Sequence, residues 1–184
     1  DVPGIVIPYS DNAYNNQDIA ENVYYYIITQ AKRYVHITTP YVIIDNQMMN
    51  ALIFAAQRGV DVTLLVPHTI DHFITFCTGR MFINTLVENG VRVYEFTPGF
   101  IHAKMFISDD TTAVVGSINL DYRSLFDQFG DAAFIYKHPV VAEIEADFQK
   151  AKAQSAEITK ATYKKTPIYR RIIGRIFRVF APLL

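Results

Sequence analysis

Short apolar runs alternate with longer amphipathic segments along most of the chain, and this alternation predicts the fold. Runs rich in β-branched and aromatic residues are typical of buried strands. In chain order they read GIVIPY, VHITT, VDVTLLVP, VRVYEF, IHAKMFIS, TAVVGS and AAFIY. The polar stretch SDNAYNN after the first run predicts a loop.

The segments between these strands carry apolar residues at helical spacing, which predicts helices. They extend from Asp18 to about residue 33, from Asn46 to Arg58, through HFITFCTGRMFINTLVEN, and from about Val140 into the 150s. Strands that alternate with helices predict an α/β fold. We expect a mixed, mainly parallel sheet with helices on both faces, and no internal repeat is present.

The composition is that of a folded globular protein. Hydrophobic residues make up 51% of the chain and charged residues 19%, which excludes an intrinsically disordered chain. No apolar run approaches the ~20 residues that a membrane-spanning helix needs. We therefore expect this chain to be soluble or peripheral, with any membrane anchor outside it.

The net charge of −1 conceals a basic segment at residues 157–184. Its basic residues are Lys160, Lys164, Lys165, Arg170, Arg171, Arg175 and Arg178, against one acid, Glu157. We expect one domain over residues 1–156, followed by this segment. The acidic body argues against nucleic acid as a partner, whereas the basic segment predicts contact with an anionic one.

A histidine and a lysine two residues apart, His102 and Lys104, interrupt the predicted strand IHAKMFIS. On a strand they would project to one face, with Ala103 facing the core. The next strand ends in GSIN, where Gly116 permits close backbone approach and Ser117 and Asn119 supply polar groups. Such a group suits a phosphate: imidazole attacks phosphorus or transfers a proton, and the other side chains hold the oxygens.

This chemistry requires no metal ion or other cofactor. The chain also lacks the carboxylate clusters that a magnesium-dependent phosphoryl site would use. A solvated histidine and a surface lysine are the ordinary interpretation of an isolated H-x-K. The full spacing through Asp109 to G-S-x-N makes that interpretation inadequate here.

The segment HAKMFISDDTTAVVGSIN resembles the HKD motif of the phospholipase D superfamily. TTPYVIIDNQMMNALIFAAQRGVDVTLLVP, LVENGVRVYEFTPGFIHAK, NLDYRS and APLL are similar to the carboxy-terminal half of bacterial cardiolipin synthases. The resemblance implies a phospholipase D-like half-domain with one HKD motif. It also implies transfer of a phosphatidyl group between two phosphatidylglycerol molecules through a phosphohistidine.

The resemblance makes His102, Lys104 and Asp109 the catalytic motif. His102 would be the nucleophile or the general acid and base, and Lys104 and Asn119 would hold phosphate oxygens, supported by Ser117. Because Asp109 falls in the predicted hairpin turn, we expect it to organise structure more than to touch substrate.

Two departures from the family pattern stand out. Family enzymes carry two HKD motifs and this chain has one, so its partner would be a missing amino-terminal half or a second copy. The family's usual glutamate after DYRS, which braces the histidine, is replaced by Gly130, and Asp131 would face the opposite side of the strand.

Residues outside the motif add candidates for the substrate pocket. His68, Asp71 and His72 follow a predicted parallel strand at the end where α/β proteins place ligands. They line a headgroup pocket or, equally, represent a helix cap with solvated histidines. Tyr41, at another strand end, is a similar candidate, with core packing as the ordinary alternative.

In the basic segment, IYRRIIGRIFRVF places apolar residues on one helical side and arginines opposite. This pattern predicts a helix that lies on an anionic membrane or docks on the protein body.

These features leave three functions to compare. The first is a phosphatidyltransferase half-domain whose parent protein acts at the bacterial cell membrane on phosphatidylglycerol. The second is a homodimeric HKD phosphodiesterase or nuclease. The third is an inactive structural half that binds membrane or a partner domain.

Overall fold

A computed structural model describes residues 2–12 and 17–183. Most of the polar stretch predicted as the first loop lies outside these ranges. The strands are β1 (Ile5–Asp11), β2 (Tyr34–Thr38), β3 (Val42–Ile43), β4 (Asp61–Pro67), β5 (Arg92–Phe96), β6 (Met105–Ser108), β7 (Thr112–Gly116), β8 (Leu120–Asp121), β9 (Gly130–Tyr136) and β10 (Ser155–Glu157). The helices are α1 (Ile19–Gln30), α2 (Asn46–Gln57), α3 (Phe73–Glu88), α4 (Val140–Ala153), α5 (Lys160–Lys164) and α6 (Ile168–Arg178).

The main sheet has the strand order β1-β9-β7-β6-β2-β4-β5-β10. Its order confirms the predicted α/β fold with a large mixed sheet. The prediction that the sheet is mainly parallel is wrong, because among the described strands of this main sheet only β2–β4 and β4–β5 pair in parallel. The remaining pairs are antiparallel because β6, β7 and β9 follow one another as a meander and β1 and β10 add antiparallel edges.

Helices cover both faces of the sheet, as predicted. Residues of α1, α2 and α3 pack with alternate strand residues into a larger core that includes Tyr24, Leu52 and Phe82. On the other face, α4 contributes Val141 and Phe148 to a smaller core. Among the described residues, no helix combines the length and apolar character needed to cross a bilayer.

The strand that carries the motif is shorter than predicted. It begins at Met105, so His102 and Lys104 lie in an irregular segment just before β6 and Ala103 is exposed rather than in the core. The ladder between β2 and β6 ends at Thr38 and Met105. Pro40 follows shortly after and has no N–H to donate, so residues before Met105 lack a strand partner on this side.

The backbones of β7 and β9 approach closely at Gly116, as the sequence predicts. A Cβ atom on Gly116 would lie 2.3 Å from the carbonyl oxygen of Asp131 and 2.6 Å from the Cα atom of Ala132. These contacts are too short for any side chain. Gly116 therefore allows the strand that leads into Ser117 and Asn119 to pair with β9.

We expect Gly116→Ala to lower the free energy of unfolding by about 1–3 kcal/mol, because the added methyl group forces β7 and β9 apart. Gly99→Ala is the matched control, since nothing lies within 4 Å of a Cβ atom there. Urea unfolding followed by circular dichroism compares the two variants. Equal stability of both variants and the unaltered chain would contradict the close approach.

Candidate active site around His102

An open cavity of about 500 Å³ lies at the end of the sheet where His102 is found. Cavities of this size accommodate small-molecule groups. It is lined by Tyr41, Ile43, His72, Thr75, His102, Asn119, Asp121, Arg123, Ser124 and Gln128. The structure thus brings together predicted residues from three separate segments.

The segments around Tyr41 and Asn119 are held together by short ladders and a threonine. Strands β3 and β8 pair in parallel, with Val42 opposite Leu120. The hydroxyl of Thr39 donates to the carbonyl oxygen of Tyr41 at 2.9 Å and accepts from the N–H of Leu120 at 3.1 Å. These bonds hold Tyr41, just before β3, and Asn119, just before β8, at the same cavity wall.

A single π-helical turn, Arg123–Asp127, supplies further lining residues that sequence reasoning missed. Arg123 and Ser124 from this turn, with Gln128 after it, face the cavity. Such turns occur often at functional sites. The resemblance in NLDYRS was the available signal, but only the fold shows that Arg123 shares a cavity with His102.

The environment of His102 favours the neutral imidazole. Burial, followed by the positive charge of Lys104, lowers the pKa of His102 below its ordinary value of 6.5, while Asp71 acts in the opposite direction. A neutral ring is the form that attacks phosphorus or accepts a proton. His102 also stacks on Phe100, with ring centroids 5.5 Å apart.

Lys104 is half-buried, and its Nζ donates to the backbone carbonyl of His102 at 2.6 Å. Burial lowers the pKa of Lys104, and the carboxylate of Asp121 opposes this effect. Lys104 is not among the residues that line the cavity. Its ammonium group lies instead beside the backbone of His102.

Asn119, which is half-buried, and Asp121, which is buried, form a polar pair at the cavity wall. The Nδ2 atom of Asn119 donates to the hydroxyl of Ser124 at 3.0 Å, and the N–H of Ser124 donates to Asp121 at 2.8 Å. Burial raises the pKa of Asp121, although the donors on Ser124 and Asn119 act against it. The buried oxygen Oδ1 of Asn119 has no hydrogen-bond partner among the described residues.

Two predicted site residues, Ser117 and Asp109, lie outside the cavity lining and hydrogen-bond to backbone groups of neighbouring segments. Ser117 joins β7 to β9, because its Oγ accepts from the N–H of Asp131 at 3.0 Å. Asp109 accepts from the N–H groups of Lys32, Arg33 and Tyr34 at 2.8, 2.9 and 3.0 Å. Asp109 thus ties the β6–β7 hairpin to the start of β2, in line with the expectation that it organises structure.

Of the further candidates for the substrate pocket, some line the cavity and others do not. Tyr41 and His72 line the cavity, and the Tyr41 hydroxyl donates to Asp71. Asp71 also accepts from the N–H of His72 at 2.6 Å, so it does not cap α3 through the first helical turn. His68 is exposed, outside the cavity lining, and its Nδ1 lies 3.4 Å from a carboxylate oxygen of the buried Glu95.

Gly130 is buried, and a Cβ atom there would lie 2.5 Å from Cγ1 of Ile118. A glutamate at this position would require Ile118 to move. Asp131 is exposed on the opposite side of the strand, as expected from alternation. Among the described acids, the one that raises the pKa of His102 is Asp71, which comes from the segment before α3.

Comparisons with known proteins agree with this geometry. The family model "Cardiolipin synthase, PLD-like domain" matches residues 24–152. Cardiolipin synthase 2 of Bacillus anthracis is 34% identical over 170 residues, which are 92% of this chain and 33% of that protein. An uncharacterized protein of Streptococcus mutans is 46% identical over 181 residues, which are 98% of this chain and 39% of that protein. The chain thus spans about a third of the length of the curated cardiolipin synthases it matches.

Solved structures share the fold at low sequence identity. Nuc from Salmonella typhimurium, a phospholipase D family member, has a TM-score of 0.70 at 20% identity, covering 84% of this chain and 100% of that one. Phosphatidylserine synthase of Haemophilus influenzae has a TM-score of 0.74 at 15% identity, covering 97% of this chain and 48% of that one.

We expect Asp109→Asn to lower the free energy of unfolding by about 1–3 kcal/mol at pH 7, because the charge that accepts three backbone N–H bonds is lost. Burial alone would raise the pKa of Asp109, but these donors outweigh it and hold the pKa below its ordinary value. The carboxylate therefore contributes stability above about pH 4, and this contribution disappears as the pH falls through the folded-state pKa.

Urea unfolding at pH 7 and at pH 3 measures this dependence. Asparagine tolerates the positive φ of 55° at this position, so the substitution tests the charge rather than the turn. Asp147→Asn, at an exposed carboxylate on α4, is the control. A stability difference for Asp109→Asn that stays constant from pH 7 to pH 3 would contradict the account.

Proposed function

Since the chain belongs to the cardiolipin synthase, PLD-like domain family, we propose that it is one catalytic half of a phosphatidyltransferase that makes cardiolipin. The substrate would be phosphatidylglycerol in the membrane of a bacterium. The observation that carries this proposal is the convergence of His102, Asn119 and Arg123 on one open cavity. An imidazole, an amide and a guanidinium together suit a phosphodiester anion.

In the proposed reaction, the neutral imidazole of His102 attacks the phosphorus atom of one phosphatidylglycerol. The bond between phosphorus and the headgroup glycerol oxygen breaks, and that oxygen takes a proton and leaves as glycerol. A hydroxyl group on the headgroup of a second phosphatidylglycerol then loses its proton and attacks the phosphohistidine. Cardiolipin forms, and the free imidazole of His102 is regenerated.

The charged and polar neighbours have separate parts in this scheme. Arg123 and Lys104 offset the negative charge that develops on the non-bridging oxygens. Asn119 is held in place by Ser124 and presents its amide to the same cavity. Asp71, hydrogen-bonded to Tyr41, moderates the depression of the His102 pKa.

A second histidine is needed to protonate the leaving glycerol while His102 attacks. His72, which also lines this cavity, immediately precedes α3 and is not part of an HKD motif. His36 and His138 lie outside the cavity. Enzymes of the family that this chain resembles use one histidine from each of two HKD motifs, so we infer a second HKD half, supplied by the rest of a longer protein or by a second copy. The cavity's open mouth is compatible with such a neighbour.

A homodimeric phosphodiesterase of the same family is the second candidate function. The likeness to Nuc supports this candidate, because 84% of this chain covers 100% of the Nuc chain. The identity of 34% to a cardiolipin synthase, against 20% to Nuc, favours the phosphatidyltransferase. DNA binding that weakens with added salt would favour the alternative instead.

We expect His102→Ala in the whole enzyme to reduce cardiolipin formation by about a thousandfold or more, because the reacting imidazole is removed. Labelled phosphatidylglycerol, with separation of cardiolipin and glycerol, measures the reaction. His138→Ala is the control, since this histidine accepts from the N–H of Val140 and lies outside the cavity. Full transfer by the His102 variant would refute the proposal.

We expect Asp71→Asn to move the acidic limb of the kcat/KM profile to lower pH. Asp71 raises the pKa of His102 against the effects of burial and Lys104, so its removal lowers that pKa further and keeps the imidazole neutral in more acidic solution. Asp147→Asn should leave the profile unchanged. An acidic limb that moves to higher pH in Asp71→Asn would contradict the assignment of the neutral form.

A further inference from the structure

Helix α6 is fixed to the body of the protein through a very close contact with α3. Gly174 is the buried residue of α6. A Cβ atom there would lie 2.3 Å from the carbonyl oxygen of Cys77 and 3.0 Å from Cγ of Met81. This contact leaves no room for a side chain, and it determines which face of α6 points away from the body.

The arginines on the inner side of α6 contact aromatic rings. The guanidinium carbon of Arg170 lies 5.8 Å from the ring centre of Phe73, that of Arg171 lies 5.3 Å from Tyr163, and that of Arg178 lies 4.9 Å from Phe82. Such cation–π contacts hold the arginine stems along the body. The arginines lie on the side opposite the exposed apolar residues, as the sequence pattern predicts, but it is the arginine side that faces the body. Arg170 and Arg171 are half-buried there, whereas Arg178 stays exposed.

The outer side of α6 and the turn after it expose large apolar side chains. Its large residues are about half exposed or more: Ile168, Tyr169, Ile172, Ile176, Val179 and Phe180. We call this set the outer apolar face. Contiguous apolar surface of this kind is uncommon on a soluble protein and marks an interaction site.

Positive charge borders the outer apolar face. Arg175 is exposed on α6, and Lys164 and Lys165 are exposed just before it. In a self-associated pair, this face would bring the same cations of two copies together, which costs free energy. An apolar face bordered by cations instead complements the boundary between anionic headgroups and acyl chains.

Arg170 links the outer apolar face to the first turn of α3, because its guanidinium contacts the ring of Tyr169 as well as that of Phe73. Phe73, which contacts Arg170, is partly exposed, as is Ile74. Their neighbours His72 and Thr75 line the cavity that contains His102. One short helical turn therefore joins the cavity mouth to the apolar surface.

We propose that the outer apolar face of α6 docks on a bilayer rich in anionic lipid and holds the cavity mouth at headgroup level. The docking itself depends only on this surface. The further idea that docking delivers a lipid phosphodiester to His102 rests on the proposed function. In the bound state, the isoleucines and Phe180 enter the acyl boundary while Arg175 and the lysines stay among the phosphates.

The chain contains no tryptophan, so a single introduced tryptophan reports its own environment. We expect Tyr169→Trp to shift its emission to the blue when vesicles of phosphatidylglycerol and phosphatidylcholine are added to the 184-residue chain. Phe54→Trp is the matched control, because Phe54 is 61% exposed on α2, outside the outer apolar face. Its emission should not change.

Sedimentation with the same vesicles gives the affinity. We expect Ile172→Ser combined with Ile176→Ser to lower vesicle partitioning at least about tenfold, because two apolar side chains no longer enter the bilayer. Pure phosphatidylcholine vesicles should bind the unaltered chain weakly. His102→Ala should bind as the unaltered chain does, so that loss of catalysis and loss of docking are separately visible.

Three results would overturn the proposal. The first is equal vesicle binding by the double serine variant and the unaltered chain. The second is equal binding to neutral and anionic vesicles. The third is a dimer, seen by light scattering, that the double serine variant dissociates while neither protein binds vesicles.

Discussion

The carboxylate of Asp109 anchors the hairpin whose two ends lead to His102 and to Asn119. Its bonds to three consecutive backbone N–H groups, at Lys32, Arg33 and Tyr34, hold the turn of the β6–β7 hairpin at the start of β2. At the other end of the same hairpin, the N–H of Gly116 donates to the carbonyl of Lys104 at 3.2 Å. Because one hairpin connects these ends, the segment before β6 and the segment after β7 emerge together.

The electrostatics of the cavity follow from this placement. Partial burial disfavours the charged forms of His102 and Lys104, and the nearby acids Asp71 and Asp121 oppose that effect. A neutral imidazole next to positive side chains suits attack on an anionic diester, because the charge of the substrate is offset while the nucleophile keeps its lone pair.

Much of the fold was predictable because local patterns determine it. Alternating apolar runs gave most strands and helices, and the need for a residue without a side chain at Gly116 was visible in the motif. The start of β6 at Met105 was not, since it depends on where β2 loses its pairing at Thr38. The large share of antiparallel strand pairs was not predictable either, because it depends on contacts between segments that are distant in the sequence.

The sequence predicted some of the residues that line the cavity and missed others. The motif pointed to His102 and Asn119, whereas Arg123 and Gln128 reach the cavity only through a π-helical turn that no periodicity reveals. His68 was expected in the pocket but lies near the buried Glu95 instead. The orientation of α6 also escaped prediction, because the Gly174 contact with α3, rather than helical amphipathicity, decides which side faces the body.

The central claim is that His102 meets a phosphodiester in this cavity, and imidazole NMR tests it most directly. The chain has five histidines, whose ring signals are assigned by single substitutions and followed while glycerophosphoglycerol, a headgroup diester without acyl chains, is added. The account predicts saturable shifts for His102, with His36 and His138 unchanged. Ring signals of His102 that stay constant to saturating diester, or shifts confined to the other histidines, would contradict it.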